Sequence, residues 1–340
     1  MRVDRARITQ ALQAFSDRVG GLRPDVALHH ILERKIERDA GLITPISPKT
    51  ACVLQGGAMR GVASAGAIIA LEQLGFTHAF DAVYGASAGA INGAYFLAGQ
   101  AAFGTSIYYQ DIANRRFIHL ARLWKVVDMD FLFEEIIARR KRLDLPRVRA
   151  NRTPLYIVAT DVRTGREVLF CSHDRELDLL AALKASAALP LLYPHPVRVG
   201  DRLYVDGGVV DAIPIEHAIR DGCTDLLVVL TVPKTYRAAP PNALERLVAA
   251  RWLRRLSPDL ERAFLHRHEA YNRALDLALG RREAPVNILA LFLDPHLPLR
   301  RLTTDVRLLK RAAIEMGRLV FHLFAGEDRE PVELLHFVKN

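Results

Sequence analysis

The chain of 340 residues has three cysteines, two tryptophans and four methionines. Cys52, Cys171 and Cys223 lie far apart and share no C-x-x-C spacing, which argues against a disulfide framework and a thiolate zinc site. They are expected to be buried free thiols in a reducing compartment. Residues 1–15 mix Arg2, Asp4, Arg5 and Arg7 with scattered apolar positions, so the uninterrupted apolar stretch of a secretory leader is missing. The richest apolar window, 177–197, is broken by Lys184, Pro190, Pro194 and His195, short of the about 18 continuous apolar residues that a membrane span needs. Internal repeats and low-complexity tracts are also lacking. A cytoplasmic globular protein, in contact with membranes only at their surface, is the expectation.

Half the residues are apolar and a quarter charged, the mixture of a chain that folds, at a length that suits one large α/β unit or two smaller ones. The 47 Lys+Arg against 38 Asp+Glu give a net charge of +9, which draws a protein toward anionic surfaces, nucleic acid or acidic lipid. The excess concentrates in Arg139-Arg140-Lys141-Arg142 with Arg147, Arg149 and Arg152, and in 246–282 around Arg251-Trp252-Leu253-Arg254-Arg255. Solvated helix faces and a basic loop account for both. The second also reads as an interfacial patch with Trp252 and leucines at headgroup level beside arginines.

Three regions follow from the patterning. Residues 1–50 are polar and helix-prone, closing with the loop Thr44-Pro45-Ile46-Ser47-Pro48. Residues 51–235 alternate short apolar runs (51–54, 82–84, 155–159, 168–170, 203–205, 226–232) with helical patterns, which predicts a mostly parallel sheet covered on both faces by helices. Residues 236–340 read as helices at 240–280 and 305–324 around one last strand at 288–293. In such sheets ligands bind beyond the carboxyl ends of strands.

Two glycine-rich loops begin at such ends. Gly85-Ala86-Ser87-Ala88-Gly89 fits G-x-S-x-G, the sharp strand-to-helix turn that pushes a serine out of the sheet, with Gly85 and Gly89 letting neighbouring backbone approach. A small-residue turn with Ser87 as helix cap is the plainer reading. Gly56-Gly57-Ala58-Met59-Arg60-Gly61 also joins a strand to a helix and offers backbone N–H groups to an anion. A dinucleotide fingerprint needs glycine at Ala58, and a P-loop needs Gly-Lys-Ser/Thr at Arg60-Gly61-Val62, so an oxyanion loop fits better than a nucleotide site. Asp206-Gly207-Gly208, after the run 203–205, reads by itself as a hairpin turn. Beside an elbow and an anion loop it becomes a candidate base. A histidine base remains open among the 12 present: His195 lies between two prolines, and His217 permits the order Ser, Asp, His but stands mid-helix beside Glu216, the place of a solvated residue.

These three elements, in this order, resemble the patatin-like phospholipase family. So do Ala159-Thr160-Asp161 with Thr164-Gly165, and Ala185-Ser186-Ala187-Ala188-Leu189-Pro190 leading through Tyr193-Pro194. The resemblance covers roughly residues 50 to 232. It implies a three-layer α/β/α sandwich and a Ser-Asp dyad without histidine. Ser87 would be the nucleophile, Asp206 the base, and the loop Gly56, Gly57, Ala58, Arg60 and Gly61 the oxyanion hole. Two positions depart from the family: Ala58 stands where a third glycine is usual, and Ala212 where asparagine is common. The implied function is a serine lipid-acyl hydrolase acting on phospholipids, lysophospholipids or glycerides, with no metal or organic cofactor and no nucleic acid partner. A catalytically silent lipid-binding protein and a Ser-Asp-His esterase are the alternatives.

Overall fold

The computed structural model describes residues 5–42, 47–122 and 125–329. Residues 1–4, most of the loop expected at 44–48, and 330–340 lie outside the described residues.

Among the described residues, nine strands form one sheet: β1 (Val19–Gly20), β2 (Thr50–Leu54), β3 (Ala82–Ala86), β4 (Leu155–Asp161), β5 (Glu167–Cys171), β6 (Val197–Val199), β7 (Arg202–Asp206), β8 (Asp225–Val229) and β9 (Asn287–Leu291). Their spatial order is β1-β9-β8-β2-β3-β4-β7-β6, with β5 also paired to β4. The five central strands β9-β8-β2-β3-β4 run parallel, as the alternation of strand and helix predicts. The sheet as a whole is mixed, because β1, β5, β6 and β7 join antiparallel. The β4–β5 and β6–β7 connections are too short for the crossover that a parallel return requires.

Strand side chains alternate between two cores, the period-2 signature of a sheet covered on both faces. Cys52, Leu54, Val83, Leu155, Ile157, Leu227, Val229 and Leu289 point into the larger core, with helices Pro24–Ala40, Gly61–Gln73, Ala88–Leu97 and Val306–Ala325. Ala51, Val53, Ala82, Tyr84, Leu226, Val228 and Ile288 point the other way, against helices Ile215–Arg220 and Pro258–Ala278. Both ends of the chain build the same body. β1 extends β9, and the Val306–Ala325 helix packs along Gly61–Gln73.

β4 is the longest strand and has two neighbours on one of its sides. Val158 pairs with Ala86 of β3 and with Leu169 of β5, while Ala159 pairs with Asp206 of β7 and with Val168 of β5. Since β5 takes the opposite side throughout, β3 and β7 lie on the same side and meet end to end. This register brings position 206 beside position 87.

Close packing at Gly66 provides a test of this arrangement: a Cβ there would come 2.0 Å from the Ala313 carbonyl oxygen on the facing helix. Gly66→Ala is expected to force the helices apart and lower stability by about 1–3 kcal/mol, read by thermal or urea unfolding.

Candidate active site

Ser87 occupies the turn between β3 and helix Ala88–Leu97 with φ 55° and ψ −129°, a region in which a residue with a side chain is strained. The turn holds it there. Its N–H donates to Ser186 Oγ at 2.9 Å, and Ser186 Oγ donates in turn to the Val158 carbonyl. Its carbonyl accepts the N–H groups of Ala90 and Ile91 as the helix begins. Ser87 is 5% exposed, so the hydroxyl sits at the floor of a cleft.

The loop after β2 rides over this elbow. A Cβ on Gly56 would lie 2.5 Å from the Ala86 carbonyl oxygen and 2.8 Å from Ser87 Cβ, which is why glycine is required. Thr231 Oγ1 donates to the Gly56 carbonyl at 2.9 Å, and Gln55 accepts the Thr231 N–H at 2.6 Å while donating to the Tyr271 hydroxyl. Pinning the Gly56 carbonyl fixes the following peptide plane and the direction of the Gly57 N–H. Among the described residues, the N–H groups of Gly57 and Ala58 have no acceptor within the protein. Ala58 adopts φ 51°, so the departure from glycine seen in the sequence is a strained one. Arg60 is 7% exposed, with its guanidinium over the Tyr236 ring at 5.5 Å and its Nε buried without a partner. Gly61 opens the helix that follows the loop, its carbonyl accepting from Asn92 Nδ2.

Asp206 ends β7 and is 2% exposed. The strand leads into a short 3₁₀ turn over Gly207–Val209 rather than the hairpin its sequence alone suggests. Oδ1 accepts the Gly208 N–H at 2.6 Å, and Oδ2 is buried with no hydrogen-bond partner. Burial pushes the carboxyl up to about 6, opposed by the nearby Ser87 hydroxyl, the Gly208 N–H and the charge of Arg301. The hydroxyl is near enough to act on the carboxyl but not aligned in a hydrogen bond, a common state of unliganded sites. The backbone around it is fixed: Thr160 Oγ1 donates to the Asp206 carbonyl, and the Asp206 N–H donates to the Ala188 carbonyl.

Two spaces meet at Ser87. One is a narrow apolar cavity, lined among others by Met59, Ile91, Tyr108, Phe117 and Leu132. The other is a larger vestibule, open to solvent and of mixed lining, bordered by Asp206, Arg60, Tyr236, Arg267 and His268 as well as apolar side chains such as Leu191 and Phe264. Ala58, Ser87, Leu189 and Arg301 line both.

Of the histidines, His268 borders the vestibule, whereas the two candidates from the sequence, His195 and His217, lie elsewhere. His195 is exposed beside Tyr193. His217 is 8% exposed rather than solvated, because helix Ile215–Arg220 packs it among Glu167, Asp211 and Arg220, with Nε2 at 3.4 Å from Glu167 and 3.6 Å from Asp211. None of its hydrogen bonds or ion pairs involves Ser87 or Asp206. These three residues could offer ligand atoms to a metal, all within 4.8 Å of one another, but the Arg220 guanidinium stands 3.1 Å from Glu167 and from His217 and already supplies positive charge. Of the cysteines, Cys52 and Cys223 are buried and free as expected, whereas Cys171, on β5, is only half-buried. Ser186, Thr231, Gln55 and Arg301 are the parts of the site that the sequence did not single out for a role. Their signal is tertiary.

Residues 52–219 match the patatin-like phospholipase family. The chain is 25% identical over 300 residues to the uncharacterized protein YjjU of Escherichia coli (strain K12), covering 83% of this chain and 79% of that one. It is 29% identical over 218 residues to an uncharacterized NTE family protein of Mycobacterium tuberculosis (strain ATCC 25618 / H37Rv), covering 62% of this chain and 56% of the relative. Among solved structures, VipD from Legionella pneumophila superposes with a TM-score of 0.41 at 13% identity, over 79% of this chain and 66% of that one.

The raised carboxyl has a consequence for folding. Asp206 keeps its proton up to about pH 6 in the folded chain but only to its ordinary 3.8 when unfolded. Ionising it therefore opposes folding, by nothing below 3.8 and by about 3 kcal/mol above 6. Asp206→Asn, which keeps the acceptor for Gly208, is expected to raise the melting temperature at pH 8 and to lose that advantage at pH 4. An equal effect at both values would contradict the assignment.

Proposed function

From the premise that residues 52–219 are a patatin-like phospholipase domain, we propose that the protein is a serine lipid-acyl hydrolase using Ser87 as nucleophile and Asp206 as its base. The observation that carries this reading is the buried, unpartnered Oδ2 of Asp206 next to the Ser87 hydroxyl, at the junction of an apolar cavity and a wider vestibule that carries charged side chains. The fatty-acyl chain occupies the cavity, which places its ester carbonyl at Ser87 and its alcohol in the vestibule.

Asp206 Oδ2 takes the hydroxyl proton as Ser87 Oγ bonds to the carbonyl carbon. The oxygen that gains charge is met by the unengaged N–H groups of Gly57 and Ala58, aimed before the reaction and needing no reorganisation. Collapse breaks the bond to the alcohol oxygen, which leaves with the proton from Asp206. Water then attacks the acyl-enzyme while Asp206 again accepts a proton, and fatty acid departs as Ser87 recovers its own. A carboxyl near 6 is a far stronger base than an ordinary aspartate and is still ionised at neutral pH.

Ser87→Ala and Asp206→Asn are each expected to lower fatty-acid release from phospholipids and glycerides by on the order of 10³-fold, with folding verified by circular dichroism. His217→Ala retains activity. The kcat/KM of the native protein falls as pH drops through about 6, when Asp206 takes up its proton. An absent acid limb, or a requirement for His217, would remove the dyad. An inert native protein that still binds lipid would favour a silent binder.

Peripheral contact with anionic membrane belongs to the same proposal. No described helix is long and apolar enough to cross a membrane. Residues 243–256, starting with helix Ala243–Val248, expose Leu244, Leu247, Val248 and Leu256 together with Arg246, Arg251, Arg254 and Arg255. Leu244 and Val248 also line the vestibule, so this rim joins an apolar, basic surface to the cleft. Trp252 is not the anchor: it is half-buried against the cluster of Val205, Val209 and Leu253. Glutamate at 251, 254 and 255 together is expected to reduce co-sedimentation with anionic vesicles by about 100-fold, at about 1 kcal/mol per cation. Unchanged sedimentation would refute surface binding.

A further inference from the structure

Of the four residues common to cavity and vestibule, Arg301 alone is charged. It lies in the connection between β9 and helix Val306–Ala325, outside the segment that matches the family. Its carbonyl accepts the Met59 N–H at 3.1 Å, tying this connection to the loop beside the nucleophile and fixing where the side chain starts. The side chain is exposed, and among the described residues no carboxylate pairs with it.

The surroundings locate its charge. Arg301 lines the vestibule with Asp206, Arg60 and Arg267, near enough to lower the pKa of the Asp206 carboxyl and to oppose the charge on the two other arginines. All three border the vestibule. The carboxylates there are Asp206 and Glu245, and Glu245 is held by Arg267 at 2.6 Å. Arg60 Nε and His268 Nδ1 are buried donors or acceptors without partners. Glu245 offsets Arg267, whereas among the described residues Arg60 and Arg301 have no carboxylate partner, and like charges gathered at one opening repel one another unless an anion joins them. A guanidinium with free donors best satisfies a planar or tetrahedral oxyanion, phosphate above all.

Orientation follows from the hydrolase reading, on which this inference rests. With the chain in the cavity and the carbonyl at Ser87, the alcohol side of the ester extends toward Arg301. We propose that Arg301 is a specificity-determining residue that binds the phosphate of an acyl-glycerol phosphate, so that the site prefers acyl esters with an anionic head over neutral ones of the same chain. Arg60, held under Tyr236 and the glycine loop, backs this position without leaving the loop.

The test uses ether-linked analogues, which bind without being cleaved and so do not depend on catalysis. An alkyl-glycerol phosphate and the same alkyl-glycerol without phosphate are titrated, below their micellar concentrations, into the full chain and into Arg301→Gln and Arg301→Lys, with folding checked by melting temperature. The native chain is expected to bind the phosphate form at least about tenfold more tightly, the size of effect that one charge-assisted contact gives. Arg301→Gln abolishes that ratio, and Arg301→Lys restores part of it. Equal binding of the two ethers by the native chain, or a ratio that survives Arg301→Gln, overturns the assignment. Inorganic phosphate is the third arm: affinity equal to that of the phosphate ether would overturn the lipid-headgroup identity of the ligand. Failure of the hydrolase reading shows separately, as a phosphate preference in binding with no cleavage of the corresponding esters.

Discussion

The end-to-end meeting of β3 and β7 along one side of β4 is the constraint on which the site depends. A strand normally has one neighbour per side. Here β4 gives Val158 to Ala86 and the next residue, Ala159, to Asp206, while β5 occupies the other side at both positions. The chain leaving β3 at Ser87 and the chain leaving β7 at Asp206 therefore arrive together from opposite directions. Antiparallel pairing of β7 is what makes this possible, since a strand parallel to β3 would end its run away from the elbow. The mixed character of the sheet is thus tied to the position of the carboxylate.

Around this junction the backbone is held in conformations that it would not choose. Ser87 and Ala58 both have positive φ without being glycine, and the carboxyl of Asp206 is kept from water with one oxygen unpaired. Each costs stability, and each is balanced by neighbours with no other evident task. Ser186 takes the Ser87 N–H, Thr231 takes the Gly56 carbonyl, and Thr160 takes the Asp206 carbonyl. Tension of this kind at a cleft is what the proposed chemistry would require and what folding alone would not.

What was legible in the sequence is what short-range backbone sterics dictate. The glycines at 56 and 85–89 declare themselves because the loop and the elbow pass within van der Waals distance of each other, and the strand runs 51–54 and 226–229 because both faces are covered. The antiparallel edges were not legible, since nothing within β5 or β7 specifies a direction of pairing. Nor was the setting of His217. Mid-helix beside Glu216 it reads as solvated, and only the packing of Glu167 from β5 against that helix buries it. Trp252 and its arginines likewise looked like one interfacial stripe, but the helix phase turns the indole inward and leaves leucines outside.

The C-terminal third, which read as helical decoration, supplies much of the vestibule wall. Tyr236, Leu244, Arg267, His268, Tyr271 and Arg301 all border it, and all lie beyond residue 219, where the family match stops. The nucleophile, the glycine loop and the carboxylate come from the matched segment. Chemistry at an ester carbonyl needs only these, because the groups that change charge are Ser87 Oγ, the carbonyl oxygen and Asp206. On the proposed reading, the rest of the substrate would meet the vestibule residues drawn from 236–301. If the proposed reaction holds, a shared reaction centre with a separately built vestibule would let the acyl-transfer step stay the same while the preferred alcohol changes, since substitutions at 267 or 301 would alter the vestibule without moving the elbow or the loop amides. The one place where the two parts are not independent is the hydrogen bond from the Met59 N–H to the Arg301 carbonyl. Through it, residue 301 in the vestibule wall also braces the glycine loop beside Ser87.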